Sequence, residues 1–336
     1  MTPEFVAVLA VILAATAFDY TNGFHDAANA IATSVSTRAL TPRVALGVAA
    51  IGNLIGAYFG QGVAKTVGEG LVTLPQGVSS LGVVFAGVLG AIAWNLITWY
   101  FGLPSSSSHA LFGGLVGATL FAAGGVVHWD TIGQKVIIPM VLSPMVGFVL
   151  GFLVMLALLW IVRNGNPRKL NRGFRVAQSM SAFAMALGHG MQDAAKTMGI
   201  IVLALYTGGF QDSRTHIPWW VFFTSATVLA LGTYAGGWRI IRTLGRKVID
   251  LGPPEGFAAE TVASSVLYFN SLVLHAPIST THTITSAIMG VGATKRLRAV
   301  RWGVAGNIVG AWILTFPAAA AIAVLAYFVT HPLFNR

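Results

Sequence analysis

The chain consists of long apolar runs separated by short polar turns. Four of the runs are about 20 residues long or more, which is the length that a helix needs to cross a lipid bilayer. These runs are Val44–Ala64, Val83–Phe101, Val136–Val162 and Gly303–Val329. Other apolar segments open the chain and fill much of its second half. The pattern predicts an all-α polytopic membrane protein.

The polar motifs that interrupt these runs occur twice, in the same order. A Gly-x-x-Asp-Ala-Ala frame stands at Gly23–Ala28 and again at Gly190–Ala195. A proline followed by hydroxyl side chains and a histidine stands at Pro104–His109 and again at Pro277–His282. Two motifs that recur in order indicate an internal duplication. We therefore divide the chain into a first transmembrane repeat, a basic cytoplasmic linker and a second transmembrane repeat, with the boundaries 1–162, 163–175 and 176–336.

The charge of the loops reverses between the two halves. The turn at Arg38–Arg43 is basic, whereas the corresponding turn of the second half has only Arg214, which is offset by Asp212. Conversely, the nearly neutral loop Val126–Lys135 corresponds to Lys295–Arg301, which is strongly basic. Because lysine and arginine collect in cytoplasmic loops, the reversal predicts two repeats of inverted topology, each with about five to six helices.

The opening segment, Phe5–Ser36, is too long for one straight span, and Asn22-Gly23 interrupts its apolar pattern. We predict a discontinuous helix here, or two short ones. Discontinuous or re-entrant helices of inverted repeats meet at the bilayer midplane, where their ends point at the substrate. We expect the same arrangement in this chain.

Composition narrows the classes of function. The chain is 55% hydrophobic and 9% charged, against about a quarter charged in soluble domains. The formal net charge of +10 could suggest a nucleic-acid partner, but the basic residues gather in short loops, as in membrane proteins. We therefore predict the lipid bilayer as partner, no nucleic acid, and a multi-pass location in the plasma membrane of a bacterial cell. The chain has no cysteine, which excludes disulfides and thiolate chemistry.

Two hydroxyl clusters stand at the start of short apolar helices. Helix N-termini carry unpaired N–H groups and the positive end of the dipole, so they bind anions. Two such ends that arrive from opposite sides of the membrane would form an oxyanion site. The alternative is ordinary capping and close packing of small residues, but the duplication favours a site. The candidate anion-binding residues are Ser106, Ser107, Ser108, Ser279, Thr280 and Thr281.

Two carboxylates at matching positions, Asp26 and Asp193, lie in otherwise apolar sequence, where ionisable groups indicate function. Both would repel an anion unless a positive charge stood between them. A sodium ion could be held by these two carboxylates as metal ligands, together with the side-chain amides of Asn22, Asn29 or Gln192. The alternative is protonation, because burial disfavours the charged carboxylate. Either alternative makes the site cation-coupled, and the sequence leaves Na⁺ and H⁺ open.

Two further charged residues are candidates for the coupling of cation and anion. Lys196 stands where the first repeat has Asn29. Its ammonium could pair with Asp193 one helical turn away, or add positive charge to the anion site. Glu260 lies near the start of a predicted span and is either a coupling acid or a charge favoured by the helix dipole. We favour the coupling role for Glu260.

These motifs resemble those of a known family. Gly23–Thr33 closely resembles the first signature of the PiT inorganic phosphate transporters, and His189–Gly199 resembles the second. Pro277–His282 and Gly236–Arg239 are also similar to that family, especially to its bacterial members. The resemblance covers nearly the whole chain. The one departure is Gln192, where the second signature has asparagine, so a cation-ligand role does not carry over to that position.

The resemblance implies a secondary active transporter of inverted repeats, and not an enzyme. Such a protein would carry inorganic phosphate into the cell by symport with Na⁺ or H⁺, through alternating access. It would need no cofactor, although the phosphate could travel free or as a neutral complex with a metal such as Mg²⁺. We also expect a homodimer.

Other functions fit the sequence less well. A membrane-embedded phosphatase or transferase would need a general base with an orienting partner beside the serines. An anion channel would be poorly lined by two intramembrane acids. A sulfate or other oxyanion symporter of the same fold stays open, because hydroxyls and helix ends bind any tetrahedral oxyanion.

Overall fold

The protein is almost entirely helical. A computed structural model describes residues 2–335. The helices of the first half are α1 (Pro3–Ser36), α2 (Pro42–Ala57), α3 (Gln61–Gly70), α4 (Val78–Phe101), α5 (Ser107–Leu120), α6 (Trp129–Ile132) and α7 (Ile138–Ile161). The helices of the second half are α8 (Pro167–Thr207), α9 (Trp219–Ala235), α10 (Trp238–Arg242), α11 (Pro253–Phe269), α12 (Thr280–Ala293) and α13 (Trp302–Phe334). Two short antiparallel strands, β1 (Val72–Thr73) and β2 (Val126–Val127), pair between loops.

Six continuous helical stretches are long and apolar enough to cross a membrane. They are Pro3–Ser36, Pro42–Gly68, Val78–Phe101, Trp129–Ile161, Pro253–Leu274 and Trp302–Phe334. Large apolar side chains on their outer faces are exposed, as at Leu13 and Met145. Such faces are typical of helices that contact lipid, because apolar side chains are as stable against lipid tails as against each other. The predicted all-α polytopic membrane fold is confirmed.

Helices of matching length recur at matching places in the two halves. Thr280 begins α12 173 positions after Ser107 begins α5, and both helices contain 14 residues. The last stretch of each half, Trp129–Ile161 and Trp302–Phe334, contains 33 residues and is separated by the same 173 positions. The correspondence therefore extends from the polar motifs to whole structural elements.

Equivalent helices run in opposite directions. The rings of Phe5 and Phe210 lie 6.1 Å apart, so the start of α1 contacts the chain just after α8. At the other end, the hydroxyl of Thr37 donates to Oε1 of Gln178 over 2.7 Å. Helices α1 and α8 are thus antiparallel, and their middles cross at the level of Asn22, whose amide donates to Asp193.

The two halves interlock through their last helices. Helix α7 packs against α12 of the second half, and α13 packs against α4 and α5 of the first half. Both hydrophobic clusters of the interior draw residues from each half of the sequence. The two halves of the chain therefore pack into each other rather than forming separate units.

The predicted break in the first helix is wrong, because α1 is continuous from Pro3 to Ser36. The glycine of the presumed break serves a different purpose. A Cβ at Gly23 would lie 2.6 Å from the carbonyl oxygen of Leu229, so Gly23 allows α9 to approach closely. The chain breaks instead before the short helices α5 and α12. Gly102 and His275 have positive φ angles of 66° and 49° at these two breaks, which end the preceding helices.

The connection between α7 and α8 is shorter than the linker predicted at 163–175, because α8 already begins at Pro167. The side chain of Asn166 accepts hydrogen bonds from the backbone N–H groups of Arg168 and Lys169 at 3.0 and 3.4 Å. An asparagine cap followed by proline is a strong start signal for a helix. Most of the basic residues therefore lie on the first turns of α8.

Candidate functional site

The candidate site lies where the middles of α1 and α8 cross and the N-termini of α5 and α12 meet them. Asp26 comes from α1 and Asp193 from α8, and both are buried. None of the predicted site residues is more than 3% exposed. The site is therefore closed to solvent from both ends of the molecule.

Two of the predicted anion ligands cap the short helices. The hydroxyl oxygen of Ser106 accepts from the backbone N–H of His109 at 3.2 Å. Ser279 accepts from the backbone N–H of His282 at 3.1 Å in the same way. Each cap fixes the first turn of its helix and so positions the hydroxyls that follow it.

The first copy of the site surrounds Asp26 with hydroxyl groups and an imidazole. Ser107 donates to Oδ2 at 2.5 Å, and Nδ1 of His25 lies 2.6 Å from Oδ1. Thr281 of α12 donates to the same Oδ1 at 3.4 Å. The amide of Asn29 donates to the hydroxyls of Thr280 and Thr281 at 3.1 and 2.9 Å. Residues of both halves thus meet at Asp26.

The second copy places a fixed positive charge on its carboxylate. The ammonium of Lys196 is 2.7 Å from Oδ1 of Asp193. It also donates to the hydroxyl of Ser108 at 2.5 Å and to the carbonyl of Ile278 at 3.2 Å. These three oxygens come from α8, α5 and the segment before α12. Lys196 therefore joins both short helices to Asp193.

Several atoms of the site could hold a cation. One carboxylate oxygen each of Asp26 and Asp193 and one ring nitrogen of His189 lie within 4.8 Å of one another. The amide oxygens of Asn22 and Asn29 are buried and accept no hydrogen bond from residues 2–335. Such oxygens are the ligands that hard cations prefer. The spacing allows one small cation or proton to be shared among these groups.

His189 has two different contacts. Its Nδ1 lies 3.0 Å from the amide oxygen of Asn53, whose nitrogen donates to Thr233 at 2.7 Å. Its Nε2 lies 3.0 Å from Oδ2 of Asp193 but lacks hydrogen-bond alignment with it. The ring is thus held from the side of α2 while it faces the carboxylate. Asn53 was not a sequence-based candidate, because it lies in an ordinary apolar span outside the repeated motifs.

Gln192 points away from the carboxylates. Its amide oxygen accepts from the backbone N–H of Ile278 at 3.0 Å, and its amide nitrogen donates to Ser271 and to the carbonyl of Ala276. The longer side chain thus fastens the turn that leads into α12. This placement agrees with the departure of Gln192 from the family pattern.

Glu260 lies in a separate polar cluster. It accepts hydrogen bonds from Ser181 at 2.5 Å, from Gln178 at 3.4 Å and from Thr33. The first turn of α11 contains Glu255, whereas Glu260 follows it by five residues, beyond the first turn, and is buried. A role as a helix-start charge is therefore wrong. Glu260 does not contact Asp26 or Asp193, but Thr33 connects it to the same face of α1.

The other two paired histidines, His109 and His282, contact each other with ring centroids 4.8 Å apart. His282 also stacks on Trp312 at 4.0 Å. Nδ1 of His109 and both ring nitrogens of His282 have no side-chain partner in the described part of the chain. Packing therefore accounts for their position.

The sequence of the chain places it in a known protein family. Residues 22–323 match the profile of the Phosphate transporter family. The chain belongs to this family. A "Probable low-affinity inorganic phosphate transporter" of Rhizobium meliloti (strain 1021) is 48% identical over 329 residues, which cover 97% of each chain. A protein of the same description from Bacillus subtilis (strain 168) is 43% identical over 332 residues, which cover 98% of each chain.

The fold of this member of the Phosphate transporter family also occurs in a solved structure. The chain aligns with a TM-score of 0.88 to a protein described as "The sodium-dependent phosphate transporter", over 96% of this chain and 98% of that one. The sequences are 24% identical, so the likeness concerns the fold. The predictions of a transporter rather than an enzyme, and of a multi-pass membrane protein, are confirmed by the family and its bacterial members.

Proposed function

We propose that this member of the Phosphate transporter family imports inorganic phosphate by symport with a cation, through alternating access. The observation that carries the proposal is the meeting of two buried acids with two hydroxyl-rich helix N-termini in one closed site. An anion site alone would not need the acids. A cation site alone would not need the helix ends. The relatives described as probable inorganic phosphate transporters support phosphate as the anion.

The anion side of the site consists of hydroxyls at the starts of α5 and α12. Ser107 and Ser108 stand in the first turn of α5, and Thr280 and Thr281 in the first turn of α12. Hydroxyl donors and the positive ends of two helices stabilise an oxyanion without fixed charge. Phosphate would take over the hydroxyl donors of Ser107 and Thr281, which now donate to Asp26.

The cation side consists of Asp26 with the free amide oxygens of Asn22 and Asn29. Asp193 already has a cation, because the ammonium of Lys196 lies 2.7 Å away. We therefore assign the mobile cation, Na⁺ or H⁺, chiefly to Asp26. Glu260 of α11 is proposed as a second coupling acid. It accepts a hydrogen bond from Thr33, which lies seven residues after Asp26 on α1. Phosphate could be carried free or as a neutral metal complex.

Alternating access is proposed to use an inverted-topology repeat. The antiparallel course of α1 and α8 supports this proposal. The equivalent loops after α5 and α12 also support the proposal, because they lie at opposite ends of α8. The loop after α5 pairs with β1, and the chain next to β1 bonds to Thr207 at the C-terminal end of α8. The loop after α12 instead contacts Glu255 through Lys295, near the N-terminal part of α8.

The topology can be tested with single cysteines, because the chain has none of its own. Ala123 and Arg296 are equivalent, exposed positions in these two loops. A membrane-impermeant maleimide should label Ala123→Cys in intact cells, and Arg296→Cys only after permeabilisation. Gly173→Cys, at an open position near the start of α8, is the cytoplasmic reference. Labelling of Ala123→Cys and Arg296→Cys from the same side would contradict an inverted repeat.

Transport itself is tested in proteoliposomes loaded without phosphate. Radiolabelled phosphate uptake is measured separately under an inward Na⁺ gradient and an inward proton gradient, for the wild type and Asp26→Asn. The wild type should accumulate phosphate above equilibrium under one of the gradients. Asp26→Asn keeps the size of the side chain but removes its charge, so it should lose accumulation while the protein still folds. Uptake by the wild type that only equilibrates would contradict symport, and unchanged accumulation by Asp26→Asn would remove Asp26 from the coupling.

A further inference from the structure

One buried acid of the molecule has no part in the site described above. Asp19 lies in α1 and is 0% exposed. Neither of its carboxylate oxygens has a hydrogen-bond partner in the described residues. The hydroxyl of Thr197, which lies beside it, is also buried and unpartnered. Buried polar groups are nearly always hydrogen-bonded, so this pair of groups calls for a physical explanation.

The position of Asp19 relates it to the central site. Asp19, Asn22 and Asp26 are spaced at i, i+3 and i+7, which places them on one face of α1. On α8, Thr197 follows Asp193 by four residues and shares its face. Because the two helices are antiparallel, Asp19 and Thr197 lie at one level. That level is about 10 Å along the helix axis from Asp26, towards the start of α1.

No positive charge in the neighbourhood is free to neutralise Asp19. Helices α4 and α9, which pack against α1, contain no Asp, Glu, Lys, Arg or His. Helix α10 and the turn Thr243–Lys247 carry four basic residues, but they approach α1 beyond Asp19, near Phe24 and Ala32. Arg43 of α2 is exposed, at the far end of α1. On α8, the charge that acts on Asp19 is the like charge of Asp193. The nearby Lys196 is already bound to Asp193, Ser108 and the carbonyl of Ile278.

An ionised carboxylate in such surroundings is strongly unfavourable, so it must carry a proton or bind a cation. A metal cation requires several oxygen ligands. Thr197 offers one unpartnered oxygen at this level, and the unpartnered amide oxygen of Asn22 lies one turn nearer Asp26, on the cation side of the central site. A proton needs a single acceptor for its hydrogen bond, which Thr197 supplies. The surroundings of Asp19 therefore suit a protonated carboxyl.

We propose that Asp19 is a proton-binding site whose occupancy is coupled to phosphate binding at the central site. The inference rests on the proposed function as a phosphate symporter. An ionised Asp19 lies about 10 Å from Asp26 along α1 and repels an anion bound at the central site, and protonation removes that repulsion. By linkage, bound phosphate favours protonation of Asp19 to the same extent. Proton and phosphate thus promote each other's binding, which is the thermodynamic requirement of a symporter.

The repulsion gives an expected magnitude. Two unit charges about 10 Å apart, at an effective dielectric constant of about 20, alter the binding constant on the order of tenfold. As Asp19 ionises, the phosphate affinity of the wild type should therefore fall on the order of tenfold. This fall adds to any effect of phosphate's own titration. The neutral variant Asp19→Asn should lack this additional fall. Because phosphate titrates identically in every sample, differences between variants isolate the contribution of the protein.

The test measures equilibrium binding of radiolabelled phosphate to the purified full chain across a pH series, and phosphate accumulation driven by a proton gradient in proteoliposomes. Asp19→Asn is expected to bind phosphate with a flatter pH dependence and to lose accumulation, while phosphate exchange between the two sides persists. Asp19→Glu, which keeps the acid, should retain the wild-type pH dependence. Asp130→Asn, the same change at an exposed acid, is the matched control and should behave as the wild type.

The outcomes separate this inference from the proposed function. If Asp19→Asn shows the pH dependence and accumulation of the wild type, Asp19 does not carry the coupled proton. If the wild type shows neither exchange nor accumulation of phosphate, the proposed function fails first. Asp19→Ser offers the same two readouts should Asp19→Asn not fold. A pH dependence in Asp19→Ser that equals that of the wild type would overturn the proposal in the same way.

Discussion

The two copies of the site share a frame but differ in charge. Asp26 is surrounded by two hydroxyls and an imidazole. Asp193 has the ammonium of Lys196 at 2.7 Å, where the first copy has the neutral amide of Asn29. Each half of the chain thus places a carboxylate in the site, and Lys196 neutralises one of the two. The comparison teaches that structural symmetry does not require two equivalent ion sites.

The largest expected effect comes from removing the internal cation. Lys196→Met leaves Asp193 as a buried charge without its partner, which should destabilise the protein by about 3–5 kcal/mol. Adding Asp193→Asn removes that charge and should restore much of the stability, as well as phosphate binding if the pair is structural. Thermal unfolding in detergent measures the first effect, and radiolabelled binding the second.

Lys65→Met is the control for Lys196→Met, since Lys65 is exposed and its loss should leave the unfolding temperature unchanged. An unfolding temperature of Lys196→Met equal to that of the wild type would show that the ion pair contributes nothing. Rescue of stability without rescue of phosphate binding would give Lys196 a direct role in holding the anion.

A smaller effect should follow from removing single hydroxyls at the two helix ends. Ser107→Ala and Thr280→Val each remove one donor to phosphate, which should weaken binding about ten- to a hundredfold, or roughly 1.5–3 kcal/mol. Ser264→Ala is the matched control, because Ser264 bonds only to the carbonyl of Thr261 in its own helix. Wild-type affinity in both Ser107→Ala and Thr280→Val would contradict the anion site. A loss in only one would show which helix end binds phosphate more strongly.

The sequence predicted what depends on local chemistry. The hydroxyl-rich starts of α5 and α12 follow from proline and serine or threonine at a helix start, and the caps by Ser106 and Ser279 are formed as such signals require. The prediction of a break at Asn22-Gly23 was wrong because glycine in a sequence usually indicates a flexible point of the chain. Its actual use, close contact with Leu229, depends on a helix that is distant in sequence.

The grouping of acids could not be read from the sequence, because it depends on where helices cross. Glu260 and Asp193 are both acids in apolar segments, but Glu260 faces Gln178 and Ser181 near the start of α8, away from its middle. Asp19 gave a weak signal for the same reason. It differs from Asp26 in lying outside any repeated motif, and its lack of a partner becomes evident only when Lys196, the nearby cation of α8, is seen to be bound to other groups.

The interlocking of the last helices has a consequence for the order in which the protein is made. Helix α5 is covered by α13, which follows it by more than 180 residues and so leaves the ribosome much later. The packing around α5 is therefore complete only after α13 has been synthesised. Helix α7, in contrast, is already in the membrane when its partner α12 arrives. Insertion can proceed helix by helix, but the candidate site can close only once α13 has been translated.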